Sequence, residues 1–307
     1  MSTTVSAVDL EKGIRATLVN RMATEPNPLI DQLCARISSQ SETEKHEYFG
    51  DSPQMDEFKG TRRVSPLLDK SVTITNKIYD AAVRFKRDDL RRSKGGQLNL
   101  QRQSTKLINT VLSFPKKRLM DLVVAGTGTT EMAAYDGVSF FNNSHPALDQ
   151  EGGTQDNLLA GSGTTTAQLS ADIVSTITAF YGYKGTNGEP FFSDQELKLM
   201  FVFGPSMNKA FREVLNSQII SNTSNVQVGI GQPHMTSRLS DANDWYAFVT
   251  NPGYEPLIWQ DEQSLETDLT AEGSELWTKH RQAEIGVSMG LGAGYGYWQS
   301  AIKVVNS

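Results

Sequence analysis

The sequence predicts an α+β protein of several parts, and three observations carry that prediction. Apolar residues recur at helical spacing near the start and again in the second hundred residues, they alternate with a period of two in between, and after residue 165 helical and strand-like segments take turns. With 307 residues there is ample chain for a sizeable core.

Taken in order, Leu10, Ile14, Leu18 and Met22 follow Asp9 at every fourth position, the spacing of an amphipathic helix with a narrow apolar stripe. Asn27 as cap, Pro28 in the first turn, then Leu29, Ile30, Leu33 and Ile37 predict a second helix, with Cys34 among its packed residues rather than acting as a nucleophile. Val72 and Ile74, then Tyr79, Ala81, Val83 and Phe85, alternate as strands do. Ahead of them "EYFGDSPQMDEFKGTRR" is too polar to bury itself, yet it carries Tyr48, Phe49, Met55 and Phe58. An extended loop with its apolar partner on another molecule fits, and so does a surface hairpin folded back on its own core.

Ile108, Val111, Leu112, Leu119, Leu122 and Val123 share one face of a long helix that Pro115 is expected to bend or split, because proline lacks the donor and crowds the preceding turn. Leu169, Ile173, Ile177 and Phe180 predict the next helix, "ELKLMFVFGPS" a buried strand, and Met207, Phe211, Val214 and Leu215 a further helix. "DWYAFVT", "EPLIWQ" and "EIGVSMGLGAGYGYWQSAIKVV" read as strands, with "GLGAGYG" as a glycine-permitted bend between two of them.

Lys and Arg number 29 against 35 Asp and Glu, a net charge of -6, which is the wrong sign for a dedicated nucleic-acid reader. The distribution is uneven. Residues 84–118 hold eleven basic residues against Asp88 and Asp89, net +9, whereas residues 240–285 hold ten acids against Lys279 and Arg281, net -8. A lone cysteine excludes an intramolecular disulfide and a cysteine zinc site and favours a reducing compartment. Neither a basic-then-apolar leader pattern nor an apolar run of about 18 residues is present, so no membrane span is expected.

The stretch "YDGVSFFNNSHP", Tyr135 to Pro146, resembles a small hydrolytic site. Asp136, Ser144 and His145 are the candidate triad, but residues so close in sequence rarely place nucleophile and base in one hydrogen-bonding plane. Asp136-Gly137 between two short apolar segments is a β-hairpin signal, a tight turn joining two strands, and Pro146 holds His145 out of helical geometry. His46, His145, His234 and His280 are isolated, without metal-ligand spacing. "GLGAGYG" has no helix after it to complete a phosphate cradle. The expectation is therefore no catalytic, cofactor or metal site.

In order and with their gaps, "EYFGDSPQMDEFKGTRR", "TITNKIYDAAVRFKRDDLR", "YDGVSFFNNSHP", "DWYAFVTNPGYEPLIWQ" and "GAGYGYWQSAIKV" resemble the major head subunits of Mu-like bacteriophages and prophages. The resemblance implies the fold of tailed-bacteriophage major capsid proteins: an N-terminal arm at 1–44, an extended loop at 45–92, a peripheral domain with a spine helix at 93–164 plus 285–307, and an axial domain at 165–284. It implies a non-enzymatic head protein that self-assembles into pentamers and hexamers of an icosahedral shell enclosing double-stranded DNA. Its place would be the virion capsid, after assembly in the bacterial host cytoplasm.

The implied partners are other copies of the chain, a portal, a separate scaffolding protein because the stretch before Lys45 is too short to hold one, and packaged DNA through non-specific contact. A decoration protein is left open, and no membrane is involved. Leu10, Ile14 and Leu18 of the arm, with Phe49, Met55, Phe58, Arg62 and Arg63 of the loop, are expected at contacts between copies. Arg102, Lys106, Lys116 and Lys117 are expected to face DNA or the acidic segment of a neighbour, and Asp136, Gly137, His145 and Pro146 to be structural turns. Lys59 and Lys70 are placed suitably for a covalent crosslink, but no motif supports one. The rival expectations are a cellular nanocompartment shell of the same fold and a soluble α/β hydrolase using His145.

Overall fold

The computed structural model describes residues 7–24, 27–48, 57, 60, 70–86, 88, 94–146, 153–185, 188–192, 195–220 and 223–306. Two sheets organise them. The first has the strand order Cys34–Ser38, Leu257–Thr270, Gln282–Tyr295, Lys77–Lys86, with the first pair parallel and the others antiparallel. The second has the order Gly231–Met235, Leu199–Phe203, Trp245–Val249, Ala301–Val305, Leu158–Ala160. Two adjacent crossovers join the sheets, where the Gly296 amide donates to the Pro256 carbonyl at 2.8 Å. Gly296 is required there, since a Cβ would lie 2.4 Å from the Glu255 carbonyl oxygen.

The five-stranded sheet is the better covered of the two. Every residue of Leu199–Phe203 and Trp245–Val249 is buried, as expected of strands that read as continuous apolar runs. The helix Asn208–Asn216 lays Phe211 flat on Phe203, ring centroids 4.0 Å apart, and edge-on to Trp245. The helix Thr166–Gly182 packs beside it and opens with a full capping box between Thr165 and Gln168.

The four-stranded sheet alternates over the first half of its strand Gln282–Tyr295, where Ala283, Ile285, Val287 and Met289 point inward and Glu284, Gly286 and Ser288 outward; from Met289 on every residue is buried. The long helix Lys94–Ala125 crosses the inner face, with Phe114 against Tyr79 at 4.6 Å. It runs unbroken through Pro115 rather than splitting there. At its end the Tyr295 hydroxyl donates to the Leu122 carbonyl at 2.8 Å, and Phe140 stacks on Tyr295 at 4.5 Å.

Three expectations are corrected. The helix Pro28–Leu33 stops before Cys34, because the next five residues pair with Leu257–Asp261, so Ile37 belongs to a strand. The glycines of "GLGAGYG" do not mark a bend between two strands, since Gly290, Gly292 and Gly294 lie inside the strand Gln282–Tyr295. Asp136-Gly137 forms a tight turn, with Gly137 at φ +90 and the Ala134 amide donating to the Val138 carbonyl at 2.8 Å, but no strand flanks it.

Candidate functional site

The chemical reading of "YDGVSFFNNSHP" is decided by what His145 touches. Its Nδ1 lies 2.6 Å from Asp136 Oδ2 and its Nε2 lies 3.0 Å from Asn157 Oδ1. The Asn157 amide nitrogen donates to the carbonyls of Phe140, Trp298 and Ala301, which fixes the amide orientation and leaves Oδ1 able only to accept. Nε2 must therefore carry a hydrogen, and Nδ1 is engaged by the carboxylate. No ring nitrogen is left to take a proton from Ser144, which is exposed while His145 is fully buried. The imidazole also stacks on Trp298 at 4.0 Å. Asp136 and His145 thus come together as a structural knot; Asp136 lies in a turn, whereas His145 and Pro146 form not the expected turn but a short strand paired with Thr154–Gln155. Asn157, the centre of the knot, had no motif to announce it. Among the described residues no group of three or more His, Cys, Asp or Glu side chains is arranged to hold a metal ion.

Contacts between copies of a chain need exposed surface. Of the loop residues expected at such contacts, Phe49, Met55, Phe58, Arg62 and Arg63 lie outside the described residues, as does Lys59. The base of the loop is described. Thr43–Tyr48 pairs with Lys70–Thr75 in antiparallel register, and the two strands lie against the end of the four-stranded sheet. Ile74 fills the space above Gly294, where a Cβ would fall 2.4 Å from Ile74 Cδ1. Asn76 and Gln260 close over Gly292 in the same way, at 2.4 and 2.7 Å. Tyr48 stacks on Tyr135 at 4.3 Å and donates its hydroxyl to the Tyr295 carbonyl at 3.1 Å. Burial pushes the Tyr48 phenol well above its ordinary range. The glycines read as a bend are in fact a notch that receives the foot of the loop.

The arm is seated differently from its expectation. In the helix Ala7–Thr24, Ile14 and Leu18 are 2% and 0% exposed, Leu10 is half-buried, and all three pack into the chain's own core. Arg21 donates to Asn109 Oδ1 of the long helix at 2.9 Å, and Thr267 donates to Glu11 at 2.6 Å. The placement of Ile14 and Leu18 at contacts between copies is thereby corrected: covered side chains offer a neighbour no surface, and their burial, about 1.5–3 kcal/mol for a full leucine or isoleucine, stabilises the single chain, while half-buried Leu10 keeps its contact as a proposal.

Arg102, Lys106, Lys116 and Lys117 are all exposed on the long helix. At about 100° per residue they fall within an arc of about 100°, so one stripe presents all four cations. Lys117 reaches Asp121 at 3.5 Å, and Lys116 lies close enough to His234 to help lower its pKa, second to burial.

The family described as Mu-like prophage major head subunit gpT matches residues 9–172. No curated protein matches the chain. Among solved structures, the chain is similar to the procapsid of bacteriophage JBD30, at 18% identity and TM-score 0.51, covering 96% of this chain and 73% of that one. It is similar to the capsid of cyanophage P-SCSP1u at 12% identity and TM-score 0.56, covering 91% and 88%. A virus-like particle from Pyrococcus furiosus matches at 11% identity and TM-score 0.56, covering 96% and 98%. These structural likenesses establish the fold.

Proposed function

The chain belongs to the Mu-like prophage major head subunit gpT family, and from that premise we propose that it is the head protein whose copies build pentamers and hexamers of an icosahedral shell around double-stranded DNA. Assembly takes place in the bacterial host cytoplasm, with a separate scaffolding protein and a portal, and the product is the virion capsid. The family match over residues 9–172 is the observation that carries this reading. The fold is shared with the Pyrococcus furiosus virus-like particle and does not by itself separate a phage head from a nanocompartment shell; the family match favours the head.

We keep the division into arm, loop, peripheral and axial parts as a proposal. The loop is the part that reaches a neighbour, with Phe49, Met55 and Phe58 removing apolar area from water there at roughly 25 cal/mol per Å². Modest affinity per contact suffices, because each copy engages several others at once.

Electron microscopy and size-exclusion chromatography of the purified full chain, alone and co-expressed with a scaffold, test the reading. Closed particles of uniform diameter are expected, and a Phe58→Asp chain should not form them. A wild-type chain that stays monomeric under every condition overturns the head-subunit reading; Phe58→Asp particles indistinguishable from wild type overturn the role of the loop.

A further inference from the structure

The outer face of the four-stranded sheet carries three carboxylates that no described side chain pairs. In register across the three long strands, Glu266, Ser288 and Asp80 form one row, and Asp268, Gly286 and Ala82 the next. Asp80, Glu266 and Asp268 are exposed, and no ion pair joins any of them to another described residue, in contrast to Glu284, which is held by Arg84. The central strand is low here: a Cβ at Gly286 would meet only Asp268 Cβ, at 3.8 Å. Neighbouring strands stand about 4.8 Å apart, so the carboxylates of Glu266 and Asp80 flank a shallow trough about 10 Å wide. That is about the width of an α-helix.

The same chain carries the complementary feature where it cannot reach this one. The long helix lies on the inner face of the sheet, through Phe114 against Tyr79, so the sheet separates its exposed cations from the outer carboxylates. Arg102 and Lys106, one turn apart, are spaced by about 6 Å along the helix axis. Glu266 and Asp268, two residues apart on a strand, are spaced by about 6.6 Å. Sign and spacing match, and only a second molecule can bring the two together.

We propose that the carboxylate-lined outer face of the four-stranded sheet docks the cationic stripe of the long helix of a second copy of this chain. The proposal rests on the self-assembly reading and names one of its contacts. Glu266 and Asp268 receive Arg102 and Lys106, and Asp80 contributes from the opposite wall. The arrangement is head-to-tail, so a copy that donates its helix still has its sheet free, which is the geometry of a ring or lattice rather than a closed pair.

The test uses the full chain under conditions in which wild type forms shells. Glu266→Lys with Asp268→Lys, and separately Arg102→Glu with Lys106→Glu, should each reduce shell yield at least tenfold while leaving the monomer's circular dichroism and thermal midpoint unchanged. Combining all four reversals in one chain should restore shells in large part, because four of the five charges are then exchanged and only Asp80 is left beside a like charge. If the lysine pair disrupts folding, Glu266→Gln with Asp268→Asn serves instead and should lower yield and flatten its dependence on salt. Normal shells from either acidic-face variant overturn the proposal, as does failure of the four-fold reversal to recover. Empty but normal shells from the Arg102 and Lys106 variant that fail only to retain DNA also overturn it, and assign the stripe to the lumen. Absence of wild-type shells under every condition is a different result, which overturns the head-subunit reading and this contact with it.

Discussion

His145 and Asp136 are joined at 2.6 Å, Nδ1 to Oδ2, with both side chains wholly shut off from solvent. The pair fastens the Tyr135–Val138 turn to the residues before Pro146, while Asn157 ties the same imidazole to the Trp298 and Ala301 carbonyls of the chain's last strand connection. His145→Ala should therefore act on stability, by roughly 3–5 kcal/mol, because it strands a buried carboxylate. Denaturant unfolding of wild type and variant measures the difference, and a loss under about 1 kcal/mol would mean that the knot is dispensable.

Gly292→Ala should loosen the foot of the loop. The new methyl would press on the Asn76 and Gln260 side chains, and Asn76 is already committed to Ser39 Oγ and the Ser41 carbonyl, both at 2.7 Å. A cost of about 1–3 kcal/mol is expected for such overpacking. Limited proteolysis should cut the 49–69 segment faster in the variant; unchanged cleavage and an unchanged melting curve would refute the notch.

Cys34 is buried, and desolvation pushes its thiol far above the ordinary range despite the opposing pull of Arg36. The thiolate is the reactive form, so a maleimide or disulfide reagent should label the native chain only as fast as residues 34–38 open, and label it at once in denaturant. Rapid stoichiometric labelling of folded protein would contradict this burial.

His46 and His234 give stability a defined slope with pH. Burial lowers both pKa values, opposed at His46 by Glu44 and assisted at His234 by Lys116. A histidine lowered in the folded state binds its proton more readily when unfolded, so stability is held above the unfolded value of about 6.5 and declines as pH falls through it. Thermal midpoints between pH 8 and pH 5 should drop on the acid side, and His46→Gln with His234→Gln should flatten that drop. A flat wild-type profile would remove both residues from the account.

The parts legible in the sequence were those in which one periodicity dominates. Leu10, Ile14 and Leu18 announced a helix, Tyr79 to Phe85 a strand, and Asp136-Gly137 a turn, because each is fixed by neighbours a few residues away. What the helix covers was not legible: an apolar stripe looks the same whether it meets its own chain or another, and Ile14 and Leu18 meet their own. Ile37 continues the helical period set by Leu29, Ile30 and Leu33, and its distant partner, Gln260, overrides that period. At the acid-rich end of Leu257–Thr270 the alternation of Leu265, Thr267 and Leu269 with Glu266, Asp268 and Thr270 is present but short and weakly apolar, so it is easily passed over. The carboxylate row on its exposed face emerges only when three strands are laid side by side.

The strand Cys34–Ser38 finds its parallel partner at Leu257–Asp261, and that partner is itself held by Leu291–Tyr295. A ribosome must therefore add more than two hundred residues before an early, sticky ribbon meets its mate. In a cell making many copies at once, nascent chains carry exposed edges fit to zip onto one another in the wrong order. Slower synthesis or added chaperone should therefore raise the soluble yield.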